Sequence, residues 1–231
     1  PPSPAQETLL RQVIAAGLLD RVARRAPPEV VAAAIEAGGA KAKGHLAYEC
    51  ASSAIEGVLF VHPTSAVAAP FAEMPEYVVF TEVVHGSRPW MRGVTQIEPS
   101  WLPPLAEGTP LCSLSAPLDA PYPRYDADRD EVRCWVTPTF GDKAWKLPAY
   151  QTTHPKGEAC CRWFARALLE GAVIPALGQL TPLLKSAPAQ ITRRALEKRV
   201  VLLVDALATA TPAIDSLRAL RARWARDPSF L

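Results

Sequence analysis

Long apolar runs are missing from this chain of 231 residues. No window of about 18 uncharged apolar residues occurs, because Pro, Glu or Arg interrupts every stretch, and this excludes a membrane-spanning helix of the usual length. The start, Pro1-Pro2-Ser3-Pro4, has neither the basic nor the apolar region of a secretory signal and reads as the beginning of a segment of something longer. Cysteine is scarce and poorly spaced: the five, at 50, 112, 134, 160 and 161, form no C-x-x-C pair and are odd in number. A disulfide framework and a zinc cluster are therefore both disfavoured, and a reducing compartment is the default.

Catalytic motifs are lacking too. Gly39-Ala40-Lys41-Ala42-Lys43-Gly44 has the glycine spacing of a phosphate loop, but His45 and Leu46 stand where Lys and Ser or Thr must follow. No other such loop and no acidic D-E-x-[DH] box occurs, so this chain is not expected to hydrolyse ATP. The histidines His45, His62, His85 and His154 are far apart with none at i, i+4, which argues against zinc chemistry. No G-x-S-x-G elbow is present. A catalytic group assembled in space from distant Cys, His, Ser or Asp stays open as a minor alternative.

What is present is the composition of a globular chain, 49% apolar and 21% charged, with 24 prolines concentrated in the middle. Charge is uneven. Lys and Arg outnumber Asp and Glu 6 to 4 over 1–45 and 12 to 6 over 156–231, and are outnumbered 7 to 13 over 46–155. The formal net charge of +2 thus hides an acidic centre and a basic C-terminal third. Such asymmetry fits either a localised anionic partner or a solvated helix face.

Ser3, Pro4 and Gln6 form a capping-box start to a helix whose apolar stripe, Leu9, Leu10, Val13, Ile14, Leu18 and Val22, runs to about residue 25. Pro27-Pro28 stops it, an Ala-rich helix follows over 29–37, and 38–44 reads as a flexible run. From 45 to 148 the pattern changes to short stretches rich in Val, Ile, Phe, Tyr and Trp, with strands expected at 46–51, 57–62, 76–84, 90–98 and 131–140. Spacings too short for crossover helices favour an antiparallel sheet or small barrel, OB-like or SH3-like. The proline-rich 102–130 reads as an irregular insertion.

Beyond Pro155 the helical period returns in three stretches. Cys161 to Leu168 mark one helix ending near Gly171; Ile191, Leu196, Val200, Leu203 and Leu207 mark a second; Ile214, Leu217, Leu220 and Trp224 mark a third, started by Thr211-Pro212 and stopped by Pro228. The expected architecture is α+β. A helical lead-in and linker over 1–45 precedes an OB-like barrel over 46–155, and a basic all-helical domain over 156–231 follows.

Binding chemistry is the most legible function. Arg92 lies two residues from Trp90, on the same face of an expected strand, which sets a guanidinium beside an indole as single-stranded nucleic acid favours. Arg88 extends that row. Trp145 and Lys146, with Lys143, offer a second aromatic-basic pair in an expected loop. Ordinary core tryptophans with surface charges beside them are the plain alternative.

The succession Val58-Leu59-Phe60-Val61-His62-Pro63-Thr64-Ser65, Pro75 to Val83, Pro89-Trp90-Met91-Arg92-Gly93-Val94-Thr95-Gln96-Ile97 and Pro99-Ser100-Trp101-Leu102 resembles the C-terminal OB-fold of DEAH-box RNA helicases. Leu10 to Arg25 is similar to the helix leading into that fold. Cys161 to Gly171 and Leu217 to Pro228 resemble the extra C-terminal domain of the nucleolar member of the small-subunit processome, which acts in 18S rRNA maturation by displacing a box C/D small nucleolar RNA. The resemblance covers nearly the whole chain but only the last two domains of that architecture. ATP and magnesium are therefore expected only in the helicase core of a longer parent, and none is expected here.

The resemblance implies an auxiliary module that closes an RNA channel and holds the RNA backbone, placed on His62, Thr64, Ser65, Arg88, Trp90 and Arg92; Lys143 and Lys146 are expected RNA contacts from the aromatic-basic pair with Trp145. The implied partners are single-stranded pre-rRNA or small nucleolar RNA, the helicase core domains and other processome proteins, with no membrane, in the nucleus and nucleolus. The competing reading is a protein-interaction scaffold docking the core or another factor through Arg218, Arg221, Arg223 and Arg226 of the last helix.

Overall fold

Ser3 caps the first helix as expected. Its hydroxyl accepts the Gln6 N–H while the Gln6 side chain accepts the Ser3 N–H, so the first turn of α1 (Pro4–Gly17) has free donors satisfied. The computed structural model describes residues 2–36, 47–68, 73–192 and 198–231, without the side chains of Ile35, Lys198 and Arg199. The expected flexible run 38–44, His45 and Leu196 lie outside the described residues. The chain folds as two compact units, one of Pro1–Ser115 with Thr137–Tyr150, the other of Ala116–Val136 with Gln151–Leu231.

The first unit holds β1 (Val22–Arg25), α2 (Pro28–Glu36), β2 (Ala47–Cys50), β3 (Val58–Val61), β4 (Tyr77–Val79), β5 (Glu82–His85), β6 (Pro89–Arg92) and β7 (Thr95–Ile97). These seven strands make one sheet in the order β5-β6-β3-β2-β1-β4-β7. All its pairings are antiparallel except β3 with β6, which run parallel. α3 (Leu102–Ala106), β8 (Cys112–Leu114), β11 (Pro138–Phe140) and β12 (Trp145–Lys146) complete the unit, the three strands forming a sheet ordered β12-β11-β8.

Side-chain alternation explains the layering. One face of the large sheet sends Ala23, Tyr48, Leu59, Val61, Val78 and Met91 into a single core that Phe80 helps to fill. The other face carries two apolar clusters. Val22, Tyr77, Val79 and Ile97 pack with Ala15 of α1, Leu102 of α3, Phe140 and Trp145. Ala47, Val58 and Phe60 pack under Val30, Val31 and Ala34 of α2 and under Trp90.

The second unit contains β9 (Arg124–Asp126), β10 (Glu131–Val136) and most of β13 (Tyr150–Thr153), ordered β13-β10-β9, with α4 (Glu158–Leu169), α5 (Lys198–Thr209) and α6 (Leu217–Arg226). Its core joins Val132 to Cys160, Phe164, Leu168, Ile191, Val204, Leu207, Ile214 and Leu220.

The α+β class with mainly antiparallel sheets stands as expected, and several boundaries move. Val22–Arg25 is a strand and not the end of the first helix, because its backbone pairs with β2 on one side and β4 on the other. Most of the helix's stripe is also exposed, Val13 at 70%, and Ala15 alone in α1 is buried. The stretch 102–130 is not an irregular loop: it supplies α3, β8 and β9.

Nor is 131–140 one strand, since β10 pairs with β9 and β11 pairs with β8 and β12, with Thr137 between. The C-terminal unit is not all-helical, because 116–136 contributes β9 and β10 to it, and the expected break at 155 gives way to an interleaved division. The last helix starts at Leu217 rather than at Thr211-Pro212, since the Ser216 side chain accepts from Ala219 N there.

Candidate nucleic-acid interface

Parallel pairing of β3 with β6 brings together the residues expected to bind RNA on the first unit. Phe60 is opposite Trp90 and Val61 opposite Met91, so His62 and Arg92 leave the same end of two neighbouring strands. Trp90 meets the His62 ring edge-on at 5.2 Å and the Phe60 ring at 6.1 Å. His62 Nδ1 lies 2.7 Å from Thr64 Oγ1 and accepts the Thr64 N–H, while Ser65 N donates to the His62 carbonyl, which makes 62–65 a tight, polar turn.

Met91 is buried in the core and Arg92 is exposed, so the alternation that sets Trp90 and Arg92 on one face holds. The stacking is different from that expected. Arg88 places its guanidinium 5.0 Å over the Phe60 ring, with Nη1 buried and without a hydrogen-bond partner among the described residues, whereas Trp90 is half-buried and closes the cluster beneath α2. Behind Arg92, Gly93 turns the chain at φ +58°, and Thr81 bonds the Arg92 carbonyl through both its N–H and its hydroxyl.

The second expected pair does not form a surface platform. Trp145 is buried in a strand with Arg24 4.4 Å over its ring. Lys143 reaches Glu49 at 3.5 Å, and Arg24 holds the same buried carboxylate at 2.7 Å. Lys146 alone of that group points outward without an ion pair among the described residues. On α6, Arg218, Arg221, Arg223 and Arg226 are all exposed; Arg223 is occupied by Asp227 at 3.3 Å and by the Phe230 ring at 4.9 Å.

Nucleophile chemistry finds little support. Burial raises the thiols of Cys50, Cys112, Cys134 and Cys161, and pushes that of Cys160 up to about 12, the opposite of what an attacking thiolate needs. His154 is buried with Nδ1 2.8 Å from the Pro155 carbonyl oxygen. Among the described residues no group of three or more His, Cys, Asp or Glu could hold a metal ion.

Sequence reasoning misses a third cluster. Tyr122, beside β9, stacks on Trp163 of α4 at 5.8 Å and 5°, with Arg124 and Arg166 against the rings. The i, i+3 spacing of Trp163 and Arg166 and the i, i+2 spacing of Tyr122 and Arg124 are visible signals, and the contact between the two segments is not.

With this geometry established, comparison with known proteins identifies the domain. Residues 10–109 match the family described as an oligonucleotide/oligosaccharide-binding (OB)-fold. Over 100% of its length the chain is 34% identical to the probable ATP-dependent RNA helicase DHX37 of Homo sapiens and 33% identical to the probable ATP-dependent RNA helicase kurz of Drosophila melanogaster. It is 34% identical over 98% of its length to the ATP-dependent RNA helicase DEAH13 of Arabidopsis thaliana. The chain spans only 19%, 19% and 16% of those relatives. The E. coli DExH-box NTPase HrpB aligns with 96% of this chain and 26% of its own, at 12% identity and a TM-score of 0.32, too low to imply a shared fold. Residues 10–109 thus belong to the OB-fold family associated with helicases, in a chain whose relatives are DEAH-box RNA helicases.

Proposed function

We propose that this chain is the RNA-binding auxiliary module of an ATP-dependent DEAH-box RNA helicase acting in small ribosomal subunit biogenesis, in pre-18S rRNA processing and release of a small nucleolar RNA. ATP and magnesium belong to the helicase core of the parent, and the setting is the nucleus and nucleolus. The observation that carries the RNA-binding part is the juxtaposition of exposed Arg92 with the polar His62-Thr64-Ser65 turn at the same end of β3 and β6, with half-buried Arg88 over the neighbouring Phe60 ring, on an OB-fold domain. Charge there holds phosphates.

Binding of single-stranded RNA should therefore weaken with salt, and Arg88→Ala with Arg92→Ala should lower the slope of log K against log salt by up to about 1.4, roughly 0.7 per lost contact. Salt-independent binding, or a double variant with unchanged affinity and slope, refutes the assignment.

A second reading rests on α6. Arg218, Arg221 and Arg226 are exposed, and none of them takes part in an ion pair among the described residues. This fits a scaffold role in which the helix docks an acidic segment of the helicase core or of another processome protein. Reversing Arg218, Arg221, Arg223 and Arg226 to Glu should abolish co-purification with such a partner, and a pull-down that survives the reversal rules the surface out.

A further inference from the structure

We infer that Tyr122 and Trp163 form a base-stacking site for single-stranded RNA on the second unit, with Arg124 as its phosphate-binding group. The site lies outside residues 10–109, the span of the OB-fold match. It does not depend on the strip at β3 and β6.

The rings are nearly parallel, 5° apart at 5.8 Å, and Tyr122 remains 41% exposed although it stacks. Two hollows, of about 270 and about 320 Å³, open on this cluster, and both are walled by Tyr122, Trp163 and Arg166. An aromatic pair shared by two adjoining hollows can serve two successive flat groups, as the bases of a single strand require.

The two arginines have different parts. Arg166 lies 4.7 Å over Tyr122 and 5.4 Å over Trp163, is largely buried and gives its Nε–H to Glu170 at 2.7 Å, so it braces the rings with its charge already met. Arg124 is exposed, lies 5.0 Å over Tyr122, and among the described residues takes part in no ion pair; its guanidinium makes a long 3.4 Å bond to the Tyr122 hydroxyl. A base can take its place on the ring while the guanidinium turns to the neighbouring phosphate. Charge complementarity decides the occupant: a guanidinium without an ion pair among the described residues, beside a π-surface, favours an anionic strand of bases over an uncharged proline-rich peptide, which would use the rings alone.

The test uses the full chain and a short fluorescein-labelled oligouridine read by anisotropy, in the wild-type background and in the Arg88→Ala, Arg92→Ala background. Tyr122→Ala should weaken binding about 5-fold or more in both, the lower end for a lost stacked base, and Tyr122→Phe should stay within about 2-fold. Arg124→Glu, on an exposed side chain, should weaken binding and flatten the salt dependence. Wild-type affinity in both Tyr122→Ala and Arg124→Glu overturns the inference, as does an equal loss in Tyr122→Phe and Tyr122→Ala. Competition by a polyproline peptide, with RNA binding untouched in Tyr122→Ala, overturns it in favour of a peptide. A loss in Tyr122→Ala alongside a neutral Arg88→Ala, Arg92→Ala variant would leave this site standing and remove the one on the first unit.

Discussion

Asp130 ties the turn between β9 and β10 to the start of the last helix, and its replacement is expected to be among the most damaging single changes in the second unit. Its carboxylate accepts the Tyr125 hydroxyl at 2.6 Å, the Leu217 N–H at 2.6 Å and the Arg218 N–H at 2.9 Å. Two of these are free donors of the first turn of α6, and Ser216 satisfies a third at Ala219. The residue also sits at φ +54°, where Asp and Asn are tolerated better than Ala.

For Asp130→Ala, the lost cap contributes about 1–2 kcal/mol. The stranded Tyr125 hydroxyl adds about 1–2 kcal/mol, and the backbone conformation about 1 kcal/mol. Urea unfolding followed by circular dichroism should therefore show a loss of about 3–5 kcal/mol, and Asp130→Asn, which keeps one acceptor and the backbone preference, about half of that. Burial alone would raise the Asp130 carboxyl, but the hydrogen bonds from Tyr125, Arg218 and Leu217 outweigh it and hold it below its usual 3.8. A depressed carboxylate stabilises above the unfolded value and loses that contribution as pH falls through the folded one, so the gap between wild type and variant should narrow below about pH 4, leaving the backbone part. A variant within about 0.5 kcal/mol of wild type, or a gap unchanged down to about pH 2, refutes the reasoning.

Three further outcomes are expected. Glu49→Leu should destabilise by about 2–4 kcal/mol in denaturant, since it leaves Arg24 and Lys143 facing an apolar replacement at a site only 4% exposed; Arg24→Leu with Glu49→Leu should cost less than the sum of the single changes. Gly93→Ala should cost about 2–4 kcal/mol, because the new Cβ enters the Thr81 side chain at φ +58°, and removing that side chain in Gly93→Ala, Thr81→Ala should recover part of the loss. Leu10→Glu should shift stability by no more than about 0.5 kcal/mol, since Leu10 is 56% exposed; if the helicase core covers this face of α1, the same variant should fail to co-purify with it.

The candidate strip is partly legible in the sequence because strand alternation is local: Trp90, Met91 and Arg92 alternate as their order demands, whatever the partner strand. That Arg88 rather than Arg92 lies over an aromatic ring depends on β3 running parallel beside β6, a pairing of residues about thirty apart that no local pattern encodes. Trp145 and Lys143 escape sequence reasoning for the same kind of reason. Their neighbours Arg24 and Glu49 come from β1 and β2, and they turn an aromatic-basic pair into a buried ion-pair site.

By itself, the sequence determined what short-range chemistry can decide: the Ser3 capping box, the helical periods of α4 and α6, the strand-rich middle, and the missing phosphate loop. Tertiary structure alone decided that Val22–Arg25 is a strand, since apolar spacing at i, i+4 suits a helix and only the ladders of β2 and β4 overrule it. It also decided that 116–136 joins the C-terminal unit and that Tyr122 meets Trp163. Contacts between distant segments set these choices, because their energy is absent until the chain has closed upon itself.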